Sequence, residues 1–225
     1  MTAPPGERGA TEAPRAGPGR CPRTDRAPML FLFAPGAGAP SSSPWMRSWA
    51  ERLSTLGAVI GFDYPYQIQG RKSPDRPPVL ITAHRKALQE ARARVPGPYV
   101  LVGKSMGSRI GCHVALVEAT KPAALVCFGY PLVGQSGAVR DQVLLELETP
   151  ILFVQGTRDP LCPLDRLEAV RARMQATNEL FVVEGGDHSL AVARTALKTS
   201  GTTQAEVDAG ILSVVADFTK RNARS

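Results

Sequence analysis

Ser105 sits in the run Gly103, Lys104, Ser105, Met106, Gly107, a GxSxG pattern that follows the apolar stretch 99–102 and opens an amphipathic one. A serine hydroxyl is a weak nucleophile until a neighbouring base removes its proton. Glycines two before and two after it allow a sharp strand-to-helix turn that presents the hydroxyl clear of the sheet. Asp159 follows the apolar run 151–155, in the turn Gly156, Thr157, Arg158, Asp159, Pro160. His188 follows the run 179–183, within Gly185, Gly186, Asp187, His188, Ser189. The chain order Ser, Asp, His suits a nucleophile, an orienting carboxylate and a general base gathered at one edge of a sheet. In that arrangement His188 takes the proton of Ser105, and Asp159 holds the imidazole tautomer and stabilises its charged form. The helix predicted from Ser105 to about Glu118 would also aim its amino-terminal dipole at the hydroxyl.

Each member has a plainer reading. Ser105 could be a helix N-cap, Asp159 a turn residue beside Pro160, and His188 a loop histidine. Asp187 is the rival carboxylate, although immediate neighbours in sequence rarely face one another. Acyl chemistry also needs donors for a developing oxyanion: the amide of Met106, after the nucleophile, and one from the loop Ala34, Pro35, Gly36, Ala37, Gly38. Ala37 or Gly38 is the expected second donor, because Gly36 and Gly38 allow close backbone approach and Pro35 has no N–H.

Positioning these groups requires strands that end together. Short apolar runs at 29–33, 58–62, 99–102, 123–128, 151–155 and 179–183 are apolar on both faces and read as buried strands. Between them Trp45, Trp49, Leu53 and Leu56 recur at helical spacing. So do Leu80, Ala87, Leu88, Ala91 and Val95, and near the end Val207, Ile211, Val214, Val215 and Phe218. Strands alternating with crossover helices predict an α/β fold: a mostly parallel sheet of about six to seven strands with helices on both faces. The link from 129 to 149 is too short for a cap domain, so the site should be open. The tryptophan pair reads as core packing. His84 and His113 read as surface or satisfied core histidines, each lacking a second ligand at metal spacing.

The chain has 225 residues, 43% hydrophobic and 21% charged, with a formal net charge of +7, as for one soluble domain. Residues 1–28 are rich in Pro, Gly, Ala and Arg and cannot bury enough surface to offset ordering entropy, so a disordered basic tail is expected before a domain at 29–225. The basic run Arg71, Lys72, Arg76, Arg85, Lys86 lacks an aromatic stacking platform and reads as a solvated face, with no specific nucleic-acid partner. Cys21, Cys112, Cys127 and Cys162 show no zinc spacing, so no metal is expected. Cys112 and Cys127 read as buried thiols in a reducing, cytoplasmic setting, and Cys162 as more exposed. Neither a membrane-length apolar stretch nor a secretory signal is visible.

Four blocks together resemble the α/β hydrolases related to testis-expressed protein thirty and to the regulatory subunit of the NSL histone acetyltransferase complex, themselves dienelactone-hydrolase-like. They are Gly103, Lys104, Ser105, Met106, Gly107, Ser108, Arg109; Phe128, Gly129, Tyr130, Pro131, Leu132; Val154, Gln155, Gly156, Thr157, Arg158, Asp159; and Gly185, Gly186, Asp187, His188, Ser189. The resemblance spans about 29–221 and implies the α/β-hydrolase fold with a serine triad. In one departure, Ala34 and Pro35 precede Gly36 where relatives often carry a His-Gly pair. The expected activity is hydrolysis of a small carboxylic ester or thioester through an acyl-Ser105 intermediate, with no cofactor. The alternative is a non-catalytic interaction module that keeps the fold, as the resemblance implies for scaffold-like relatives.

Overall fold

The computed structural model of the protein describes residues 1–2, 28–134 and 137–223. The expected amino-terminal tail falls almost wholly outside the described residues.

Six parallel strands form one sheet in the order β2-β1-β3-β4-β5-β6. They are β1 Leu30–Ala34, β2 Ala58–Gly61, β3 Tyr99–Lys104, β4 Ala124–Phe128, β5 Ile151–Gly156 and β6 Asn178–Val183. Every run read as a strand forms one, with ends shifted by up to two residues. Side chains alternate between faces as the pleat dictates. Leu30, Leu32, Tyr99 and Leu101 join the core on one face; Phe31, Phe33, Val100 and Val102 join the core on the other. Burial on both faces holds for β1, β3, β4 and β5. It fails at β2 and β6, which are half-exposed because each is a sheet edge with a neighbour on one side only.

Helices α1 Pro44–Ser54 and α8 Gln204–Asn222 cover one face, through Met46, Trp49, Leu53, Ile211, Val215 and Phe218. Helices α3 Pro77–Arg94, α4 Met106–Val117 and α6 Leu164–Arg171 cover the other, through residues such as Leu88, Val114 and Leu167. Burying each such aliphatic side chain contributes roughly 1.5–3 kcal/mol. Among the described residues the remaining helices are short: α2 Pro65–Ile68, α5 Gln142–Leu145 and α7 Arg194–Ser200. Among the described residues α5 is the only helix between β4 and β5, so no cap domain covers the sheet. No described helix is long and apolar enough to cross a membrane.

Cys112 and Cys127 are buried as expected, and Cys162, expected to be more exposed, is buried too. Its amide bonds the Asp159 carbonyl at 3.2 Å, and this turn places Cys162 in the core cluster that also holds Leu132 and Leu167. His84 is a core residue whose Nδ1 lies 3.1 Å from the Tyr64 hydroxyl. In the basic run, Arg71 pairs with Asp75 and Arg85 with Glu118.

Candidate active site

Ser105 lies between β3 and α4 in a backbone conformation of φ 51°, ψ −116°, one that non-glycine residues rarely adopt. The elbow is held by its amide, which donates to the Phe128 carbonyl at 2.9 Å, and by two absent side chains. A Cβ on Gly103 would lie 2.1 Å from the Ser108 nitrogen, and one on Gly107 would lie 2.5 Å from the Ala34 carbonyl oxygen. Only glycine lets α4 begin this close to β1 and β3. The N-cap reading of Ser105 fails, because its side chain makes no cap hydrogen bond.

Its Oγ instead stands 2.8 Å from His188 Nε2, and His188 Nδ1 stands 2.7 Å from Asp159 Oδ2. The structure thus brings together the three residues singled out from sequence. Asp159 Oδ1 accepts the Leu161 amide at 2.9 Å, and Oδ2 also accepts the Gln155 amide nitrogen. Burial alone would raise the Asp159 pKa. Its bonds to His188, Leu161 and Gln155 outweigh that and hold it below the ordinary carboxylate value. Asp187 is not the partner of the imidazole; its Oδ1 accepts the amides of Ser189 and Ala191 at 2.7 and 3.0 Å, shaping the turn after His188.

The imidazole loop is drawn tightly against β4 and β5. Gly129, at φ 59°, leaves room for it: a Cβ there would meet the His188 carbonyl oxygen at 2.5 Å and Nδ1 at 3.3 Å. Lys104 donates from Nζ to that same carbonyl and lies 5.5 Å from the Trp45 ring centre. Burial lowers its pKa to about 8 against the opposing pull of Asp159 and Asp187. Trp45 Nε1 donates to the Ser189 carbonyl at 2.9 Å. The tryptophan pair therefore divides: Trp49 is core, as expected, whereas Trp45 lines the site.

A cavity of about 260 Å³ opens over Ser105 and His188, walled by Ala37, Gly38, Trp45 and Lys104. The loop after β1 turns its carbonyls away from it. The Tyr66 hydroxyl donates to the Ala37 oxygen at 2.9 Å, and the Gln67 amide donates to the Gly36 and Ala39 oxygens at 3.1 and 2.9 Å. The amides of Ala37, Gly38 and Met106 donate to no protein acceptor among the described residues. Met106 is the first residue of α4, where an N–H has no partner within the helix.

Sequence reasoning passed over Lys104, Gln155, Gly129 and Trp45 as site residues. Gln155 carried a signal: it is a polar residue closing the otherwise apolar strand of Ile151, Leu152, Phe153 and Val154, four residues before Asp159. It is fully buried and bridges the Tyr130 amide, accepted at 3.0 Å, to the Asp159 carboxylate.

Residues 27–220 match the family model described as the alpha/beta hydrolase domain. The chain belongs to the alpha/beta hydrolase family. Solved structures similar to this alpha/beta hydrolase include dienelactone hydrolase from Anabaena variabilis, with a TM-score of 0.65, 18% identity and 88% of each chain covered. An alpha-beta serine hydrolase homologue from Coxiella burnetii has a TM-score of 0.63 and 18% identity, over 89% of this chain and 88% of that one. The RedJ thioesterase of the prodiginine biosynthetic pathway in Streptomyces coelicolor has a TM-score of 0.55 and 22% identity, over 78% of this chain and 84% of that one.

Proposed function

We propose that this chain is a serine hydrolase of small carboxylic esters or thioesters, working through an acyl-Ser105 intermediate. The observation that carries this reading is the continuous hydrogen-bonded line from the Ser105 hydroxyl through His188 to buried Asp159, with Ser105 held at a positive φ. His188 Nε2 takes the hydroxyl proton as Oγ attacks the carbonyl carbon. The negative charge passes to the carbonyl oxygen, which the amides of Met106 and of Ala37 or Gly38 receive. Collapse expels the alcohol or thiol with the proton from His188. A water deprotonated by the same imidazole then releases the acid and restores Ser105.

The reaction as proposed consumes one water and calls on no cofactor. The open cavity of about 260 Å³ favours short acyl groups over long lipid chains. Ester and thioester chemistry accords with the names of the dienelactone hydrolase and the RedJ thioesterase that share the fold. Within the family, the blocks around Ser105, Gly129, Asp159 and His188 favour a place beside the testis-expressed-thirty and NSL-subunit relatives. Free, buried Cys112, Cys127 and Cys162 suit a reducing cytoplasm.

A fluorophosphonate probe tests the reading. The expected result is an adduct on Ser105 that disappears in His188→Ala. Absence of labelling on folded protein would return the alternative, a fold kept for protein interaction without catalysis.

A further inference from the structure

We propose that a cleft beside α4, lined by Arg109, His113 and Arg140, is an anion subsite that accepts a phosphate-type dianion carried by the substrate. That the dianion belongs to a substrate rests on the serine-hydrolase reading; that the cleft binds it does not.

The cleft has a volume of about 370 Å³ and opens between α4 and the segment running into α5. Arg109 and His113, four residues apart on α4, share one helix face. Arg140 closes the other side, its guanidinium laid over Gly134, where a Cβ would approach it to 2.8 Å. Along the chain Arg109 lies one helical turn after Ser105, its amide donating to the Ser105 carbonyl at 3.2 Å.

Among the described arginines, Arg52, Arg71, Arg85, Arg171, Arg173 and Arg221 each hold a carboxylate at 3.1 Å or less; of those that do not, Arg109 and Arg140 line one cleft. Arg109 and Arg140 hold none among the described residues, and the buried Arg109 Nε has no hydrogen-bond partner there. Asp141 also lines the cleft, but its Oδ2 is engaged by Arg173 at 3.1 Å. Glu146, just after α5, acts on His113 through its charge and accepts a bond from Gln142 at 3.1 Å. Burial and the charge of Arg140 both lower the Arg109 pKa, so the two guanidiniums sense each other. The fully buried Tyr130 hydroxyl, within reach of the Arg109 charge, also lacks a partner. Arg109 is half-buried and Arg140 exposed, and a buried donor without a partner, such as Arg109 Nε, is costly unless an acceptor joins it. A guanidinium fork matches the oxygens of phosphate, and two guanidiniums beside an imidazole balance a dianion better than a single carboxylate.

Burial and Arg109 hold His113 below its ordinary pKa, with Glu146 opposing. A dianion placed among Arg109, Arg140 and His113 reverses that balance, so His113 reports binding. The experiment follows the His113 ring by NMR in the Ser105→Ala protein, which cannot turn over, during titration with inorganic phosphate at constant ionic strength. The expected result is that His113 titrates about one pH unit higher when phosphate is bound. In Arg140→Gln, an exposed position, about tenfold more phosphate should be needed. An unchanged His113 titration, or equal effects of phosphate and chloride, overturns the subsite. A second arm compares wild-type kcat/KM for a phosphate-bearing ester and for its uncharged analogue. A preference for the phosphate ester that falls about tenfold in Arg140→Gln supports the substrate assignment. Equal turnover of the two esters with phosphate still bound overturns that assignment alone. Bound phosphate with neither ester hydrolysed counts against the hydrolase reading and leaves the subsite standing.

Discussion

Lys104 Nζ donates a hydrogen bond to the backbone carbonyl of His188, so the residue just before Ser105 holds the loop that carries the imidazole. Replacing it with methionine keeps most of the buried stem and removes the tether. Lys104→Met should lower kcat for an ester about tenfold or more, the scale of one lost charge-assisted bond, with a smaller change in KM. A stopped assay resolving kcat from KM checks this; a change confined to KM would mean that the ammonium serves binding alone.

The same lysine carries a signature in stability. Its folded pKa, about 8, lies below its usual 10.5, so between those values the unfolded chain binds more protons than the native one. Stability therefore rises with pH across that window as the cost of the buried charge is relieved. The difference in urea midpoint between the native protein and Lys104→Met should shift in favour of the native protein between pH 7.5 and 10. A constant difference would refute the assignment.

Ser105 at φ 51° is strained for any side chain with a Cβ, a conformation costing about 1–3 kcal/mol. Ser105→Gly should therefore raise the unfolding free energy by about 1 kcal/mol while abolishing fluorophosphonate labelling. Ser105→Ala, which keeps the strain, should stay within about 1 kcal/mol of the native protein. Equilibrium urea unfolding of the three proteins gives the comparison.

The elbow glycines should behave oppositely. An added Cβ at Gly103 or Gly107 meets backbone atoms that cannot rotate away. Gly107→Ala should cost at least about 2 kcal/mol and lower labelling of Ser105. A variant of native stability would mean that α4 can shift away from β1 at little cost.

Asp159 links the site to acid stability. Its folded pKa lies below the ordinary value, so its stabilising contribution is present above the unfolded carboxylate value and is lost as pH falls through the folded one. Asp159→Asn should flatten that acid limb in thermal unfolding between pH 5 and 2. It should also cut kcat by about 10⁴ through loss of the correct imidazole tautomer.

The strands and the side chains of Ser105, Asp159 and His188 that the fold brings together were legible in the sequence because both leave local marks. Continuous apolar runs such as 151–155 reflect burial on two faces, and Gly103, Gly107, Gly185 and Pro160 punctuate the turns that follow the strands. Short α2, α5, α6 and α7 left no such mark, since a helix of one or two turns shows too little periodicity to read. Exposure at β2 and β6 was equally hidden, because an edge is defined by strand order, which no single strand encodes.

By itself the sequence determined that Ser105, Asp159 and His188 each follow a strand and so share the carboxyl edge of one sheet. Only tertiary structure decided what surrounds them, with Gly129 yielding space to His188, Gln155 holding Asp159 and Lys104 tying the imidazole loop, and it alone brought Arg109 and Arg140 to one cleft. Those relationships join residues brought close by sheet order and helix packing, and a contact between distant positions has no spacing along the chain from which to be read.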